Sequence, residues 1–385
     1  AGAPLAAGAA ETTTDLATGR AGRRMMHLSW LELTNTRCYE TLRFEPVEGV
    51  NVLIGSNGAG KTSILEAAAY LGLLKSFRGT PDEAIVMSGA AQAVIRGEFV
   101  VESGTTRVEV ELPRPGRRRV LVNGKRPQRN RDVLAQIPVV AFQPDDLDLV
   151  KRGPGLRRAY LDDLAAQLWP QAGADQQDYE RAVRQRNSLL KQEGRRADAV
   201  TLDVWDERVA VAGAAVFDHR LRVLDTLDAA IGEAYRLVGE RGSLTWAYAA
   251  NWGASIEGGG GAGRLRDVLL ERRPRDMDQR TTSAGPHRDD PALVVDGRPA
   301  RTMASQGEQR TVALALRVAA YRVLSLHRST RPILLLDDVF SELDPAHARG
   351  VMTLLDIGQV FVTSAREDEV HAAGRRWVVG GRTVT

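Results

Sequence analysis

Apolar and polar residues alternate with a period of two in two separate parts of the chain. The first is the stretch HLSWLELTNTRCYETLRFEP, residues 27–46, and the second runs from Ala93 to Pro127. Alternation of this kind indicates half-buried β-strands. Asn123-Gly124 lies inside the second stretch and favours a tight hairpin turn. The pattern therefore predicts an antiparallel β patch beside the main sheet.

Other apolar runs lack this alternation. VLI at residues 52–54, ILLL at 333–336 and QVFV at 359–362 are apolar almost throughout. Such runs are typical of parallel strands that are covered on both faces. A helix is expected at about residues 62–74, after the first run, and another after Ser305.

Helical periodicity dominates the middle of the chain, from Leu156 to about Leu237. A short strand-like piece near Ser243–Trp252 follows, then a glycine-rich loop, EGGGGAGR, and a helix around Leu265–Glu271. The sequence thus predicts an α/β head, a mixed sheet flanked by helices with an antiparallel β patch, split by a mainly helical second lobe. The predicted division is a disordered leader at 1–25, the first part of the head at 26–145, the helical lobe at 146–280 and the second part of the head at 281–385.

Composition narrows the class of protein only slightly. The chain has 385 residues, of which 43% are hydrophobic and 26% charged, as in ordinary globular proteins. No apolar run approaches the ~20 residues of a membrane-spanning helix, and Cys38 is the only cysteine. We therefore expect a cytoplasmic protein with no disulfide and no membrane partner. Arginine far outnumbers lysine, which suits phosphate contacts, but GC-rich coding explains the same excess and is the explanation we favour.

The stretch GSNGAGKTS fits the phosphate-loop pattern in full. Its glycines let backbone N–H groups turn inward, where they and the following helix favour anionic oxygens. Lys61 would reach the β- and γ-phosphates of ATP, and the Thr62 hydroxyl would bind Mg²⁺. The alternative, a plain glycine turn, explains neither the strand before nor the helix after. The predicted nucleotide-binding residues are Gly55, Ser56, Asn57, Gly58, Ala59, Gly60, Lys61, Thr62 and Ser63.

Two carboxylates follow the apolar run at 333–336. A parallel strand that ends in Asp337 and Asp338 delivers them to the sheet edge where ligands bind. Asp337 would hold Mg²⁺, and Asp338 would act as the general base on the attacking water. The shorter side chain at Asp338, compared with glutamate, predicts slow hydrolysis. The alternative is a strand that simply ends in a polar turn.

Ser305 and Glu308 have the spacing of a capping box at a helix start. Capping alone explains them, yet Ser305, Gly307 and the helix dipole also make a second phosphate site. A nucleotide needs one phosphate loop, so the second site would hold the γ-phosphate of ATP bound to another subunit. Ser341–Asp344 lies where the dimer-facing loop of ABC-type ATPases is expected, and together these features predict an ATP-dependent homodimer.

The separation of Lys61 and Ser305 is far larger than in transporter ATPases. The inserted lobe also lacks the long heptad runs of a coiled-coil arm. Two rival classes stay open. A transport-type motor predicts strong ATPase activity without DNA and a groove for a membrane subunit; a chromosome-structuring or defence scaffold predicts a long coiled coil or an attached nuclease domain.

Four further stretches resemble the RecF family of bacterial recombination mediator ATPases. They are LTNTRCY at 33–39, KSFRGTPDEAIV at 75–86, PDDLDLVKRGPGLRRAYLD at 144–162 and GPHRDD at 285–290. The resemblance implies that Arg37 lies near the nucleotide. It implies a weak, DNA-stimulated ATPase whose ATP-bound dimer clamps double-stranded DNA near ss/ds junctions and, with RecR and RecO, promotes RecA loading. Arg152 departs from the family, which usually has glycine there, and this puts a local turn in question.

Three weaker assignments complete the predicted site. Gln143 lies near the position where ABC-type ATPases place a glutamine that senses Mg²⁺ and water. Thr363 ends a strand where many relatives have a switch histidine, and its hydroxyl could still donate to the γ-phosphate. His287, Asp289 and Asp290 suggest either a metal site or, as we favour, a turn held together by Arg288 and carboxylates.

A cluster of basic residues lies within and after the second alternating stretch. A solvated loop is the usual reason for such a run, but uncompensated positive charges also suit the DNA backbone. Aromatic residues are absent from the run, so recognition of backbone and shape is expected rather than base stacking. The predicted DNA-binding residues are Arg114, Arg117, Arg118, Arg119, Lys125, Arg126, Arg129 and Arg131.

Overall fold

The computed structural model describes residues 25–101, 104–128, 133, 136–238, 242–254, 261–328, 330–339, 358–368, 370 and 373–385. Most of the predicted leader lies outside these residues. So do Arg129 and Arg131 of the basic cluster and the predicted dimer-facing loop at 341–344.

A six-stranded sheet forms the centre of the head. Its strands, in spatial order, are β14 (Thr383–Val384), β13 (Arg375–Gly380), β3 (Val50–Ile54), β12 (Val360–Ser364), β11 (Ile333–Asp337) and β7 (Val139–Phe142). All of its pairings are parallel except that of β13 with β14. The apolar runs predicted as buried parallel strands are therefore confirmed.

Helices cover both faces of this sheet. Helix α1 (Lys61–Leu73) follows β3, one residue earlier than predicted. Ile333 and Leu335 of β11 pack in the core that α1 shares, whereas Leu334 and Leu336 pack in the core on the opposite face. Because successive side chains of a strand point to opposite faces, a strand buried on both sides has to be apolar throughout.

The predicted antiparallel patch is a five-stranded sheet that packs against α1. Its strands, in spatial order, are β2 (Tyr39–Phe44), β1 (Met26–Thr36), β4 (Gln92–Val101), β5 (Gly104–Pro113) and β6 (Arg119–Val122). Asn123 and Gly124 form a tight turn with φ of 49° and 75°. This turn follows β6 and brings Val122 opposite Lys125, so residues 114–118, and not Asn123-Gly124, connect β5 to β6.

Helices make up most of the second lobe. They are α2 (Asp148–Lys151), α3 (Pro154–Leu168), α4 (Pro170–Glu193), α5 (Ala199–Leu237) and α6 (Ala262–Gln279). Helix α5 has 39 residues, which gives a length of about 58 Å. Helix α6 is much longer than the predicted Leu265–Glu271. Within the described residues, no helix is long and apolar enough to cross a membrane.

A buried ionic cluster joins three of these helices. Arg186 of α4 is fully buried and lies 2.6 Å from Asp206 of α5 and 2.7 Å from Asp276 of α6. It also donates a hydrogen bond to Thr282 at 3.0 Å. Because a buried charge needs partners, this cluster fixes how the three helices pack.

A small third sheet links the lobe to the second part of the head. Strand β8 (Leu244–Ala249) pairs with β9 (Asp290–Val295), which pairs with β10 (Arg298–Pro299). Short helix α7 (Ala300–Met303) and long helix α8 (Gln306–Arg328) follow. The predicted division of the chain stays a prediction, and β8 and β9 show that segments on either side of residue 280 pair with each other.

The turn at residues 285–290 is held by arginines of α3. Arg157 donates to the Asp290 carboxylate at 2.8 Å and to the Pro291 carbonyl at 2.9 Å, and Arg158 donates to the Asp289 carbonyl at 2.6 Å. The expectation that Arg288 would hold this turn is therefore wrong, because its guanidinium reaches only Thr281 and Thr282.

The geometry of this region also bears on two points of the sequence analysis, the alternative of a metal site at residues 287–290 and the local turn at Arg152. Among the described residues, no group of three or more His, Cys, Asp or Glu could hold a metal ion, so 287–290 is a structural turn. Arg152 has φ of −86° and ψ of −179°. This is an extended conformation open to any residue, so the turn does not require glycine at 152.

Candidate nucleotide-binding site

A cavity of about 910 Å³ lies where β3, β11 and β12 end. The phosphate loop, residues 55–63, forms one wall. The ends of β11 and β12 contribute Asp337, Asp338 and Thr363, and residues 81–88 form another wall. Six residues of the predicted phosphate loop line the cavity: Asn57, Gly58, Gly60, Lys61, Thr62 and Ser63.

The loop adopts this shape because of its glycines. Gly60 has φ of 107°, a left-handed conformation that other residues rarely adopt. A Cβ at Gly55 would lie 2.2 Å from the carbonyl oxygen of Val379, so the loop passes too close to β13 for any side chain. The ammonium of Lys61 donates to the carbonyls of Gly55 at 2.6 Å and Ser56 at 3.0 Å. Burial lowers the pKa of Lys61, against the opposing effect of Asp338 and Asp337.

Three oxygens converge beside the loop. Asp337 Oδ1 accepts hydrogen bonds from Thr62 Oγ1 at 2.9 Å and from Thr363 Oγ1 at 2.8 Å. Burial raises the pKa of Asp337, although both hydroxyls counteract it. A hydroxyl and a carboxylate are the hard oxygen donors that Mg²⁺ uses when phosphates and water complete its shell. The structure therefore brings together the two residues predicted to hold the metal.

Thr363 also positions the second carboxylate. Its Oγ1 accepts a hydrogen bond from the Asp338 backbone N–H at 2.9 Å. Asp338 has φ of 52°, so the chain turns sharply there and its side chain lines the cavity. The Thr363 hydroxyl thus contacts both Asp337 and Asp338, whereas the sequence led us to expect a contact with the γ-phosphate.

Arg37 lines the cavity, as the resemblance implied, but its guanidinium donates hydrogen bonds to other side chains of the protein. It donates to both oxygens of Glu66 at 2.7 Å and to Thr80 at 2.8 Å. Burial would raise the pKa of Glu66, but hydrogen bonds from Arg37 and Ser76 hold it below its usual value. Arg37 therefore ties the turn between β1 and β2 to helix α1.

Several cavity residues were not predicted from the sequence, among them Arg78 and Cys38. Arg78 lines the cavity, and its positive charge lowers the pKa of Asp337. Cys38, which is half-buried, lines it as well. Arg78 lies in the stretch 75–86 already noted for its resemblance, but nothing in the local pattern indicates that it folds back towards the phosphate loop.

Gln143 does not line the nucleotide cavity. Its side chain donates to the Phe77 carbonyl at 3.3 Å and borders a neighbouring, smaller cavity with Arg310 and Val339. Its backbone N–H donates to Asp146, so that Gln143 begins the short 3-10 helix Pro144–Leu147. The structure gives it a capping position next to the site rather than a place in it.

Ser305 begins helix α8 with the predicted capping box. Its N–H donates to Glu308 at 2.7 Å, and its hydroxyl accepts from the Glu308 N–H at 3.2 Å. Ser305 and Gly307 are exposed. Neither is among the described residues that line the nucleotide cavity of the same chain.

The basic cluster is less uniform than the sequence indicates. Arg118 donates to the Leu74 carbonyl and lies 3.6 Å from Asp82, and Arg119 lies 3.6 Å from Glu111. Arg114 lines the nucleotide cavity. The expectation of an uncompensated run is thus wrong for Arg118 and Arg119. Within the part of the chain that the structure describes, three exposed members neither line the cavity nor make a salt bridge: Arg117, Lys125 and Arg126.

With its phosphate loop and Asp337 meeting at one edge of a parallel sheet, and with an antiparallel sheet packed on the helix between them, the chain is a head of the ABC-type ATPase class. Its sequence matches the RecF/RecN/SMC N terminal domain family over residues 27–381. It is 40% identical over 375 residues to the DNA replication and repair protein RecF of Kineococcus radiotolerans, covering 91% of this chain and 95% of that protein. The RecF protein of Acidothermus cellulolyticus is 39% identical, with 92% and 98% covered. The chain belongs to the RecF family of DNA replication and repair proteins.

Solved structures agree with this assignment. The recombination mediator protein RecF with ATP in the RecFOR pathway superposes with a TM-score of 0.87 at 27% identity, covering 95% of this chain and 98% of that one. A second RecF structure, with ATPrS, has a TM-score of 0.86 and the same identity. An Smc head bound to the winged-helix domain of ScpA shares the fold, with a TM-score of 0.52 at 17% identity. The RecF likeness is much stronger than the likeness to chromosome-structuring heads.

Proposed function

We propose that this chain is an ATP-dependent DNA-binding protein of recombinational gap repair. The observation that carries the proposal is the contact between Thr62 and Asp337, 2.9 Å apart beside a phosphate loop. This contact joins the two halves of a nucleotide site that are distant in sequence. Family membership adds DNA replication and repair as the setting.

ATP would bind with its phosphates along residues 57–63. The backbone N–H groups at the start of α1 and the ammonium of Lys61 would hold them, since a helix N-terminus favours negative charge. Lys61 would exchange its carbonyl partners at Gly55 and Ser56 for phosphate oxygens. Mg²⁺, held by Thr62 and Asp337, would neutralise part of the phosphate charge.

Two chains would then share each nucleotide. Ser305 and Gly307 are exposed at the start of α8 and do not reach the cavity of their own chain. In a two-fold dimer each helix can approach the γ-phosphate held by the partner, and Gly307 allows close backbone approach. ATP would favour the dimer because it contacts both chains only in the closed state.

Hydrolysis would reset the protein. Asp338 lines the cavity beside Thr363 and would act as general base on the attacking water. Its side chain is one methylene shorter than glutamate, so we infer a weak ATPase. Once the γ-phosphate leaves, nothing holds α8 of the partner and the dimer opens.

The closed dimer would grip double-stranded DNA near ss/ds junctions. Arg117, Lys125 and Arg126 are exposed before and after the edge strand β6 of the antiparallel sheet and would contact phosphates rather than bases. The relatives act in the RecFOR pathway, so we infer RecR, with RecO, as partners and RecA loading as the outcome. The cytoplasm, at the nucleoid, is the corresponding location.

The test measures affinity for gapped, duplex and single-stranded DNA at several salt concentrations, with and without Mg-ATP. Wild-type protein should bind gapped and duplex DNA much more tightly with ATP. Lys61→Ala should lose this ATP-dependent part, because its loop no longer holds the phosphates. Replacing Arg117, Lys125 and Arg126 by alanine should reduce the salt slope by about 0.9 for each DNA phosphate that is no longer neutralised.

Cys38 supplies an independent readout of where ATP binds. It is the only cysteine of the sequence and it lines the cavity. Mg-ATP should therefore slow its reaction with a thiol reagent in the wild type and not in Lys61→Ala. Equal DNA affinity with and without ATP in the wild type would contradict the proposed function.

A further inference from the structure

The geometry points to Arg114 as a nucleotide-contacting residue that stacks on the base of the bound ATP. This inference rests on the proposed function, because it assigns a role within the same nucleotide site. It also takes Arg114 out of the group predicted to bind DNA.

The position of Arg114 is fixed by its backbone. Residue 114 begins the connection between β5 and β6, and its N–H donates to the Ala91 carbonyl at 2.7 Å. The side chain is exposed and lines the nucleotide cavity together with Ser88 and Val86. Arg114 and the wall formed by residues 81–88 therefore line the same cavity.

This wall suits a purine rather than a phosphate. The metal-binding and phosphate-binding groups, Lys61, Thr62 and Asp337, come from the phosphate loop and the end of β11 and not from this wall. The residues of this wall that line the cavity are Pro81, Glu83, Ala84, Val86 and Ser88; three of them are apolar, and none carries a positive charge that would attract a phosphate. Flat, apolar ring faces bind such surfaces well, so a nucleotide with its phosphates at Lys61 would place its base here.

Residues 81–88 are also held rigidly enough to form a base site. The N–H of Arg37 donates to the Ile85 carbonyl at 2.8 Å, and the N–H of Met87 donates to the Asn35 carbonyl at 2.8 Å. The turn between β1 and β2 thus fixes this segment. A fixed surface loses little conformational entropy when a ligand binds.

Arg114 is the cation that this end of the cavity has available. Arg37 is held by Glu66, and Arg78 acts on Asp337 at the phosphate side. Among the residues described by the structure, Arg114 makes no salt bridge. A guanidinium is planar and stacks on aromatic faces and on nucleic-acid bases, so Arg114 can cover the face of the base that the wall leaves open.

The far end of the same connection holds Arg114 in place. Arg118 donates to the Leu74 carbonyl at the end of α1 and to the Tyr70 hydroxyl at 3.3 Å. Tyr70 in turn donates to Asp82 at 2.6 Å, within the wall segment. The connection is therefore anchored at Ala91 at one end and at α1 at the other, and is not a free basic arm.

The experiment compares binding of Mg-ATP and of inorganic tripolyphosphate by titration calorimetry. Arg114→Ala should weaken ATP binding about tenfold, the scale of one base-stacking interaction, and leave tripolyphosphate binding unchanged. Arg117→Ala is the matched control, since it lies in the same connection, is exposed and does not line the cavity. It should bind both ligands as the wild type does.

Two results would overturn the inference and leave the proposed function intact. One is an unchanged ATP affinity in Arg114→Ala. The other is an equal loss of ATP and tripolyphosphate binding, which would make Arg114 a phosphate ligand. A wild-type protein that bound neither ligand would instead refute the nucleotide site itself.

Discussion

At the scale of single residues, Thr363 shows how one hydroxyl can position two carboxylate residues at the edge of a sheet. Its oxygen donates to Asp337 and accepts from the backbone of Asp338. Both carboxylates thus take their positions from a residue on the neighbouring strand β12. The sequence indicates that a polar residue ends β12, but which side chain it meets depends on the pairing of β12 with β11.

Replacing Thr363 tests this role. Thr363→Val keeps the shape of the side chain but loses both hydrogen bonds, so Asp337 should hold the metal less well. We expect the Mg²⁺-dependent part of ATP affinity to fall by about tenfold to a hundredfold, as for other residues that orient metal ligands. Titrations of ATP with Mg²⁺ and with EDTA separate this part from binding of the phosphates alone.

Thr363→Ser is the matched control, because it retains the hydroxyl and should bind Mg-ATP nearly as the wild type does. An equal loss in the valine and serine variants would show that the hydroxyl alone does not account for the effect. Unchanged Mg²⁺ dependence in Thr363→Val would remove Thr363 from the metal site.

At the scale of elements, local patterns suffice where one segment determines its own structure. The phosphate loop, helix α1 and the apolar strands β3, β11 and β12 are of this kind. Local sequence patterns do not predict strand pairings and contacts between segments that are far apart in the sequence. The pairing of β8 with β9 and the anchoring of Arg118 on α1 depend on partners 41 or more residues away. The prediction for Gln143 fails for the same reason, since its side chain donates to the carbonyl of Phe77, 66 residues away, and does not line the cavity.

The turn at 285–290 carries a titration that can be measured. Asp289 is fully buried and accepts from Tyr248 at 2.9 Å. Burial raises its pKa to about 6, and burial lowers the pKa of His287 to about 4. The unfolded pKa values are about 4 for aspartate and about 6.5 for histidine. Folding therefore takes up a proton at Asp289 and releases one at His287 over much of the same pH range.

These two groups have opposite effects on stability. The contribution of Asp289 to the free energy of unfolding is lost as pH rises from about 4 to about 6, whereas that of His287 is lost as pH falls from about 6.5 to about 4. Asp289→Asn removes the contribution of Asp289 to the free energy of unfolding and leaves that of His287. Its thermal midpoint should therefore fall more steeply on acidification than that of the wild type.

His287→Gln supplies the opposite arm of this experiment. This variant loses the His287 contribution, which decreases on acidification, and keeps the Asp289 contribution, which increases. Its thermal midpoint should therefore fall less steeply on acidification than that of the wild type. The quantity to measure is the slope of the midpoint between about pH 4.5 and pH 7. Three parallel curves would show that neither group titrates differently in the folded chain.

At the scale of the whole molecule, the proposed nucleotide site depends on two copies of the chain. One chain supplies the phosphate loop, Asp337 and Asp338, and the exposed capping box at Ser305 lies away from its own cavity. In the proposed dimer, each nucleotide site is complete only when a partner brings Ser305 to it. ATP then acts mainly through its different affinity for the open and closed states.

A mixture of two variants provides a control for this arrangement. Lys61→Ala lacks the phosphate loop lysine, and Ser305→Arg places a bulky charged side chain at the partner's phosphate. Neither alone should dimerise with ATP. In a mixed pair, one of the two sites combines the intact Lys61 of one chain with the intact Ser305 of the other, so the mixture should recover part of the dimer.

The most direct test of the shared site is sedimentation of Ser305→Arg with Mg-ATP, beside the wild type and with ATP binding measured on the same samples. A shared site predicts that the wild type sediments as a dimer, whereas Ser305→Arg binds ATP and remains a monomer with weak affinity for duplex DNA. A Ser305→Arg protein that binds ATP and dimerises like the wild type would contradict it.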